Sequence, residues 1–153
     1  MKNNNWLKYS GYILLIAALI YLDGYVEKQQ YIYQRETFNL SFVYFAISMI
    51  IKISIGLLLG LEYIIKEIRK EGNWKINLSK IILMVIPSLY FSMSYLFMYL
   101  YNDNLIYRIL TYPGFIFIQN GSGFVFVFQL VLGYSLITSF YKQSKGIKKE
   151  TIT

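Results

Sequence analysis

The chain has 153 residues, enough for one domain; 56% are hydrophobic, 15% are charged, and the formal net charge is +7. A water-soluble fold would need several unusually apolar helices buried together with little left to cover them, so the composition points to an all-α, polytopic membrane protein. With no cysteine and no histidine, the chain alone offers no thiol pair, no Cys or His zinc ligand and no imidazole for a Ser-His-Asp triad, and neither a metal nor a cofactor is expected.

In a soluble protein such a positive charge suggests nucleic acid, but here the placement of Lys and Arg argues otherwise. Eleven of the fifteen fall in three segments: Lys2 and Lys8; Lys66, Arg69, Lys70, Lys75 and Lys80; Lys142, Lys145, Lys148 and Lys149. Only Lys28, Arg35 and Arg108 fall in the two remaining connections. By the positive-inside rule both termini should face the cytoplasm, with anionic lipid as the counterpart of the basic segments. The abundance of Ile, Lys, Asn and Tyr is that of an AT-rich bacterium, so the expected location is a bacterial cytoplasmic membrane.

The first apolar segment, 7–25, follows a positive flank and exits through Tyr21-Leu22-Asp23-Gly24-Tyr25 without a small-residue cleavage pattern, as a retained signal-anchor helix does. Trp6, Tyr9, Tyr21 and Tyr25 suit its two interfaces. Residues 26–39 read as a short polar connection on the outer side; Asp23 and Asp103, at the outer ends of the first and third helices, could form a carboxylate pair for acid-base work or a cation, but solvated helix-end residues are the plainer reading.

The second segment, 40–65, is long enough at about 1.5 Å per residue to cross a hydrocarbon layer of roughly 30 Å. Lys52 stands in its middle, near the bilayer midplane if the inner boundary is set at Glu62. A helical wheel places Ser41, Phe45, Ser48, Gly56, Leu59 and Tyr63 on the side of Lys52. Gly56 and Gly60 form a G-x-x-x-G pair, so the charged face is also a face for close helix packing. Ser48 precedes Lys52 by one helical turn, a spacing that imitates a serine-lysine nucleophile dyad but lacks an identified oxyanion donor. A structural lysine satisfied by hydroxyls, carbonyls or water is the plainer reading.

In the basic loop 66–80, Glu62 and Lys66 have the spacing of a helical ion pair, Gly72-Asn73 is a turn signal and Trp74 suits the headgroup level. The third helix, 81–101, contains Pro87, which should bend its inner half, and Ser88 and Ser92, which give it a small polar face. The outer connection 102–121 becomes apolar again over 105–118, around a Tyr112-Pro113-Gly114 turn. Each half is too short to cross, so an interfacial or re-entrant segment or a docking surface is expected. The fourth helix, 122–141, opens after a Ser122 N-cap and places Gln129 and Gly133 on one face. The tail, 142–153, is basic and expected to be flexible.

The expected architecture is thus a single domain: a four-transmembrane-helix bundle with a short interfacial or re-entrant segment. Its expected polar site comprises Lys52, Ser48, Gln129, Ser88 and Ser92, and its packing residues are Gly56, Gly60 and Gly133. The function expected first is a noncatalytic membrane subunit or scaffold that packs with itself or another membrane protein. The alternative is a small oligomeric transporter or channel using Lys52 for an anion or a proton-coupled solute.

Overall fold

A computed structural model describes residues 4–99, 105–119 and 123–143. The protein is mostly helical, and two of its helices are long and apolar enough to cross a membrane. Asp103, Ser122, Lys2, Lys145, Lys148 and Lys149, singled out above, lie outside the described residues.

Helix α1 (Asn4–Thr37) does not stop at Tyr25 but continues through the segment read from sequence as a connection. Glu27, Lys28, Gln29, Gln30, Gln34, Arg35 and Glu36 are polar yet are good or tolerated helix residues, and no proline or further glycine interrupts them. The helix ends where Phe38 takes a left-handed φ of 56° and its amide bonds the Gln34 carbonyl at 2.9 Å. A short turn leads to α2 (Phe42–Ile68), which runs back antiparallel, with Tyr33 edge-on to Tyr44 at 6.2 Å.

Helix α6 (Gly123–Thr138) lies parallel to α2 and close against it. A Cβ on Gly56 would come 2.2 Å from the Leu130 carbonyl oxygen, and one on Gly133 would come 2.1 Å from that of Ile53. Both obstacles are backbone, so these two helices approach to a distance that only glycine permits. Gly60 meets the Ile137 side chain instead.

Strand β1 (Asn73–Ile76) follows α2 after Gly72, whose φ of 143° makes the turn. It pairs antiparallel with β2 (Phe140–Gln143), in the register Trp74 opposite Lys142 and Lys75 opposite Tyr141. The fourth helix therefore ends three residues before Tyr141, and the first residues of the expected flexible tail are tied down. Helix α3 (Leu78–Ser92) starts on Asn77, whose side chain accepts the Lys80 amide at 3.1 Å. Pro87 cannot donate to the turn before it, and there the helix widens into a π turn over Ile81–Val85. It then breaks at Met93, so the expected single helix 81–101 is two pieces, α3 and α4 (Ser94–Tyr99).

Helix α5 (Leu105–Gln119) covers the apolar outer connection as one element, with Pro113 inside it rather than in a turn. It is fastened to its neighbours by Tyr90 and Tyr107, whose hydroxyls donate to the carbonyls of Leu110 and Phe97. Gly114 rests against Ser94, where a Cβ would come 2.7 Å from the hydroxyl oxygen.

The interior is small and polar. Ile55, Val85, Val125 and Leu132 are buried, but the most enclosed side chains are Ser92, Ser94, Ser135 and Ser139. Ser92 and Ser135 donate to the carbonyl four residues earlier in their own helices, and Ser139, just past the end of α6, donates to that of Ser135, so they occupy tight interhelical space without an unsatisfied hydroxyl. The large apolar side chains point the other way: Leu7, Ile13, Leu14, Val43, Ile50, Leu83 and Ile109 are all exposed.

Candidate functional site: a charged cavity beside Lys52

The i, i+4 spacing of α1 puts Asp23 and Glu27 on one face, and the same spacing on α2 puts Ser48 and Lys52 opposite them. Lys52 Nζ lies 2.7 Å from Glu27 Oε1, 3.2 Å from Asp23 Oδ2 and 2.7 Å from Ser48 Oγ. An ammonium has three protons, and three oxygen acceptors surround this one. Ser48 in turn donates its hydroxyl proton to Asp23 Oδ1 at 2.6 Å. The Lys52 and Asp23 side chains are 13% and 12% exposed, whereas Glu27 is 59% exposed, so the inner pair is shielded from solvent screening and the outer one is not.

A serine-lysine dyad would need Lys52 as a neutral amine that takes the Ser48 proton. The only proton Ser48 carries is directed at a carboxylate, and Lys52 meets the serine oxygen as a donor. A base would have to accept there.

The cluster forms one wall of a cavity of about 660 Å³. Gln30 and Gln34 of α1, Phe45 of α2, Tyr95 of α4, and Phe126 and Gln129 of α6 supply much of the rest. The Phe45 and Tyr95 rings meet edge to face at 5.8 Å, and Lys52 Nζ stands 5.9 Å from the centre of the Phe126 ring. Among the described residues, the charged side chains of the lining are two carboxylates and one ammonium, a formal sum of −1.

Of the polar residues singled out in the sequence, Lys52, Ser48 and Gln129 come together here. Ser88 and Ser92 do not line the cavity. Both are buried in α3, the Ser92 hydroxyl returns to the Ser88 carbonyl at 2.6 Å, and the Ser92 carbonyl accepts from Gln129 Nε2 at 3.4 Å. Sequence reasoning did not bring Asp23 or Glu27 to Lys52, because a helix thought to end at Tyr25 leaves one as an end residue, weighed only with Asp103, and the other in a loop. The matched spacing was the available signal: Asp-x-x-x-Glu on one helix, Ser-x-x-x-Lys on the next.

At the opposite end of α2 the basic residues are partly engaged by the fold. Glu67, buried beyond the apolar stretch, accepts the Lys142 amide at 2.9 Å and pairs with Lys70. The Lys70 hydrogen bond, then that amide, hold its carboxyl below the usual glutamate range. Lys142 Nζ donates to the carbonyls of Ile68 and Lys70, both at 2.8 Å, and so caps the C-terminus of α2. Glu62 and Lys66 form the expected helical pair at 3.3 Å, while Arg69 and Lys75 are exposed at the same end.

No group of three or more His, Cys, Asp or Glu side chains that could hold a metal ion occurs among the described residues. No protein-family model, curated protein or solved structure matches the chain. What the fold and the site define is therefore a class, a helical protein with two potential membrane spans and an ionic, aromatic-walled cavity bounded by both of them and by α4 and α6.

Proposed function

We propose that the chain is a four-span integral membrane protein, both termini cytoplasmic, whose cavity beside Lys52 receives a small solute from the outer side and serves its transport. The observation that carries this is the cavity itself, with a largely enclosed Lys52–Asp23–Ser48 cluster in its wall. Intramembrane ionisable groups that face a cavity and pair with one another mark solute or ion paths more readily than they mark anchors.

Several features support the membrane frame. Helices α2 and α6 run parallel while α1 and α3 run against them, as successive crossings require. Large apolar side chains face outward and serines inward, the arrangement suited to lipid outside and close helix packing inside. Lys66, Arg69, Lys70, Lys75, Lys80 and Lys142 gather at one end, which suits a cytoplasmic surface in contact with anionic lipid. Helices α3 and α4 reach bilayer thickness only in series.

The scaffold reading loses part of its support, because Gly56 and Gly133 are used up within the chain and present no free close-packing face. An anion site at Lys52 is also disfavoured, since all three of its protons already have oxygen acceptors. Reconstitution into liposomes with cationic, neutral and anionic solutes tests the proposal: at least one class should cross faster with wild-type protein than with Lys52→Leu. Equal flux of every class through both proteins and through empty liposomes refutes transport.

A second reading rests on a separate observation. Residues 26–35 of α1 run alongside residues 42–51 of α2, so at one level the surface carries charged Lys28 and Arg35 together with apolar Val43, Ile47 and Ile50. Neither water nor lipid suits both, and a second copy of the chain covering this level satisfies the mismatch.

A further inference from the structure

We infer that the solute of the cavity is a monovalent organic cation, an amine or quaternary ammonium, held by Glu27 and the ring of Phe126. This rests on the reading of the cavity as a solute site and names what enters it. The charged lining among the described residues sums to −1, so one cation restores neutrality there where an anion would make it −2. Glu27 is the group positioned to exchange partners. It is the more exposed of the two carboxylates, and its ion pair is the one that Lys52 can give up while keeping Asp23 and Ser48.

The walls favour an organic cation over a metal ion. Calcium asks for six to eight oxygen ligands at about 2.3–2.6 Å, and here the two carboxylates are already shared with an ammonium. The remaining surface includes Phe42, Phe45, Tyr95 and Phe126, rings whose faces attract a weakly hydrated cation and whose bodies accept its alkyl groups. Lys52 Nζ over Phe126 at 5.9 Å is a protein cation already seated in that way. Gln30 and Gln34 add amide groups that suit a hydroxyl or carbonyl carried on the same solute.

The test uses the full chain in nanodiscs and equilibrium dialysis of radiolabelled choline. Binding should be saturable, displaced by tetraethylammonium, and displaced neither by potassium nor by 3,3-dimethylbutan-1-ol, the uncharged analogue of equal shape. Glu27→Gln should weaken it at least tenfold and Phe126→Leu severalfold, while Glu62→Gln, far along α2, should leave it unchanged. Displacement by potassium or by the neutral alcohol as strong as by tetraethylammonium overturns the organic-cation assignment, and so does choline binding indifferent to Glu27→Gln. A thermal-shift screen on the same protein separates the two levels of inference. Stabilisation by an anion such as inorganic phosphate, or by the neutral alcohol alone, sinks the cation and leaves the cavity as a solute site. No shift with any cation, neutral solute or anion sinks both.

Discussion

Replacing Lys52 by leucine tests the ionic cluster most directly, because the structure sets both the size of the effect and the way to isolate it. At 3.2 Å, with an effective dielectric constant near 20, the Lys52–Asp23 attraction amounts to about 5 kcal/mol before desolvation is counted. Removing one partner of a buried pair leaves the other uncompensated, which typically costs about 3–5 kcal/mol. The two side chains are 13% and 12% exposed, so Lys52→Leu should fall at the lower end, about 3 kcal/mol. Glu27 adds little to this figure, because an ion pair on a side chain 59% exposed contributes about 0–1 kcal/mol. The double variant Asp23→Leu/Lys52→Leu should recover most of the loss, since apolar residues in place of a buried pair are often neutral or stabilising. The assay is a double-mutant cycle of equilibrium unfolding in one fixed detergent mixture. A coupling energy below about 0.5 kcal/mol between positions 23 and 52, within the range found for independent sites, refutes the argument.

Gly133→Ala and Gly56→Ala each drive a methyl group into a facing carbonyl, so each should lower unfolding stability by about 1–3 kcal/mol or more, whereas Gly24→Ala, with nothing within 4 Å, should be neutral or stabilising by up to about 1 kcal/mol. Equal thermal midpoints for all three refute the close contact of α2 with α6. Glu67 has a folded-state pKa below its unfolded value, so its hold on Lys142 and Lys70 is complete above about pH 4, in the ordinary glutamate range, and is lost as the pH falls through the lower folded value. Amide exchange at β2, measured at matched intrinsic rates, should accelerate below that range in wild type and already at neutral pH in Glu67→Gln. Pro87→Ala restores a backbone donor and should shorten the π turn to an ordinary α turn, visible as a shift of backbone amide resonances confined to residues near 81–87.

The parts of the fold that were legible in sequence are those written in local spacing. Glu62 and Lys66, Gly56 and Gly133, and the capacity of the second segment to span are each readable from a period of 3.6 residues or from a missing side chain. The parts that were not legible depend on context. The polar half of α1 looks like a loop because its composition is hydrophilic, yet Gln, Glu, Lys and Arg are sound helix formers and the segment has the face of α2 to lie on. Pro113 looks like a turn residue, yet its helix survives with two tyrosines fastening it to its neighbours. The short sheet joins chain segments more than sixty residues apart, a pairing that no local pattern announces. Half of the candidate site, Lys52 and Ser48, was visible for the same local reason; Asp23 and Glu27 became partners only once α1 extended past Tyr25.

The relative register of α1 and α2 bears on where the site lies in a membrane. The apolar run of α1 ends at Leu22, and Asp23 is level with Ser48 and Lys52. On the α2 side Lys52 is central to an apolar stretch; on the α1 side the same level is already the end of one. A single flat hydrocarbon layer cannot be centred on both, so in the proposed four-span arrangement the cluster would lie nearer the outer boundary than the length of α2 alone suggests. In that arrangement Gln30, Gln34 and Ser41 of the cavity wall would face the outer side. At and beyond that level Ile50, Ile47 and Val43 are exposed, and lipid would cover them only in part. Because the native chain has no cysteine, single-cysteine variants can decide between lipid and a second copy without removing any thiol. Gln34→Cys should react with a membrane-impermeant maleimide added outside. If a second copy covers the α2 face, Ile47→Cys should resist that reagent and form a covalent dimer on mild oxidation in native membranes. Protection without dimer assigns the face to lipid, and free labelling at both positions refutes the second-copy reading.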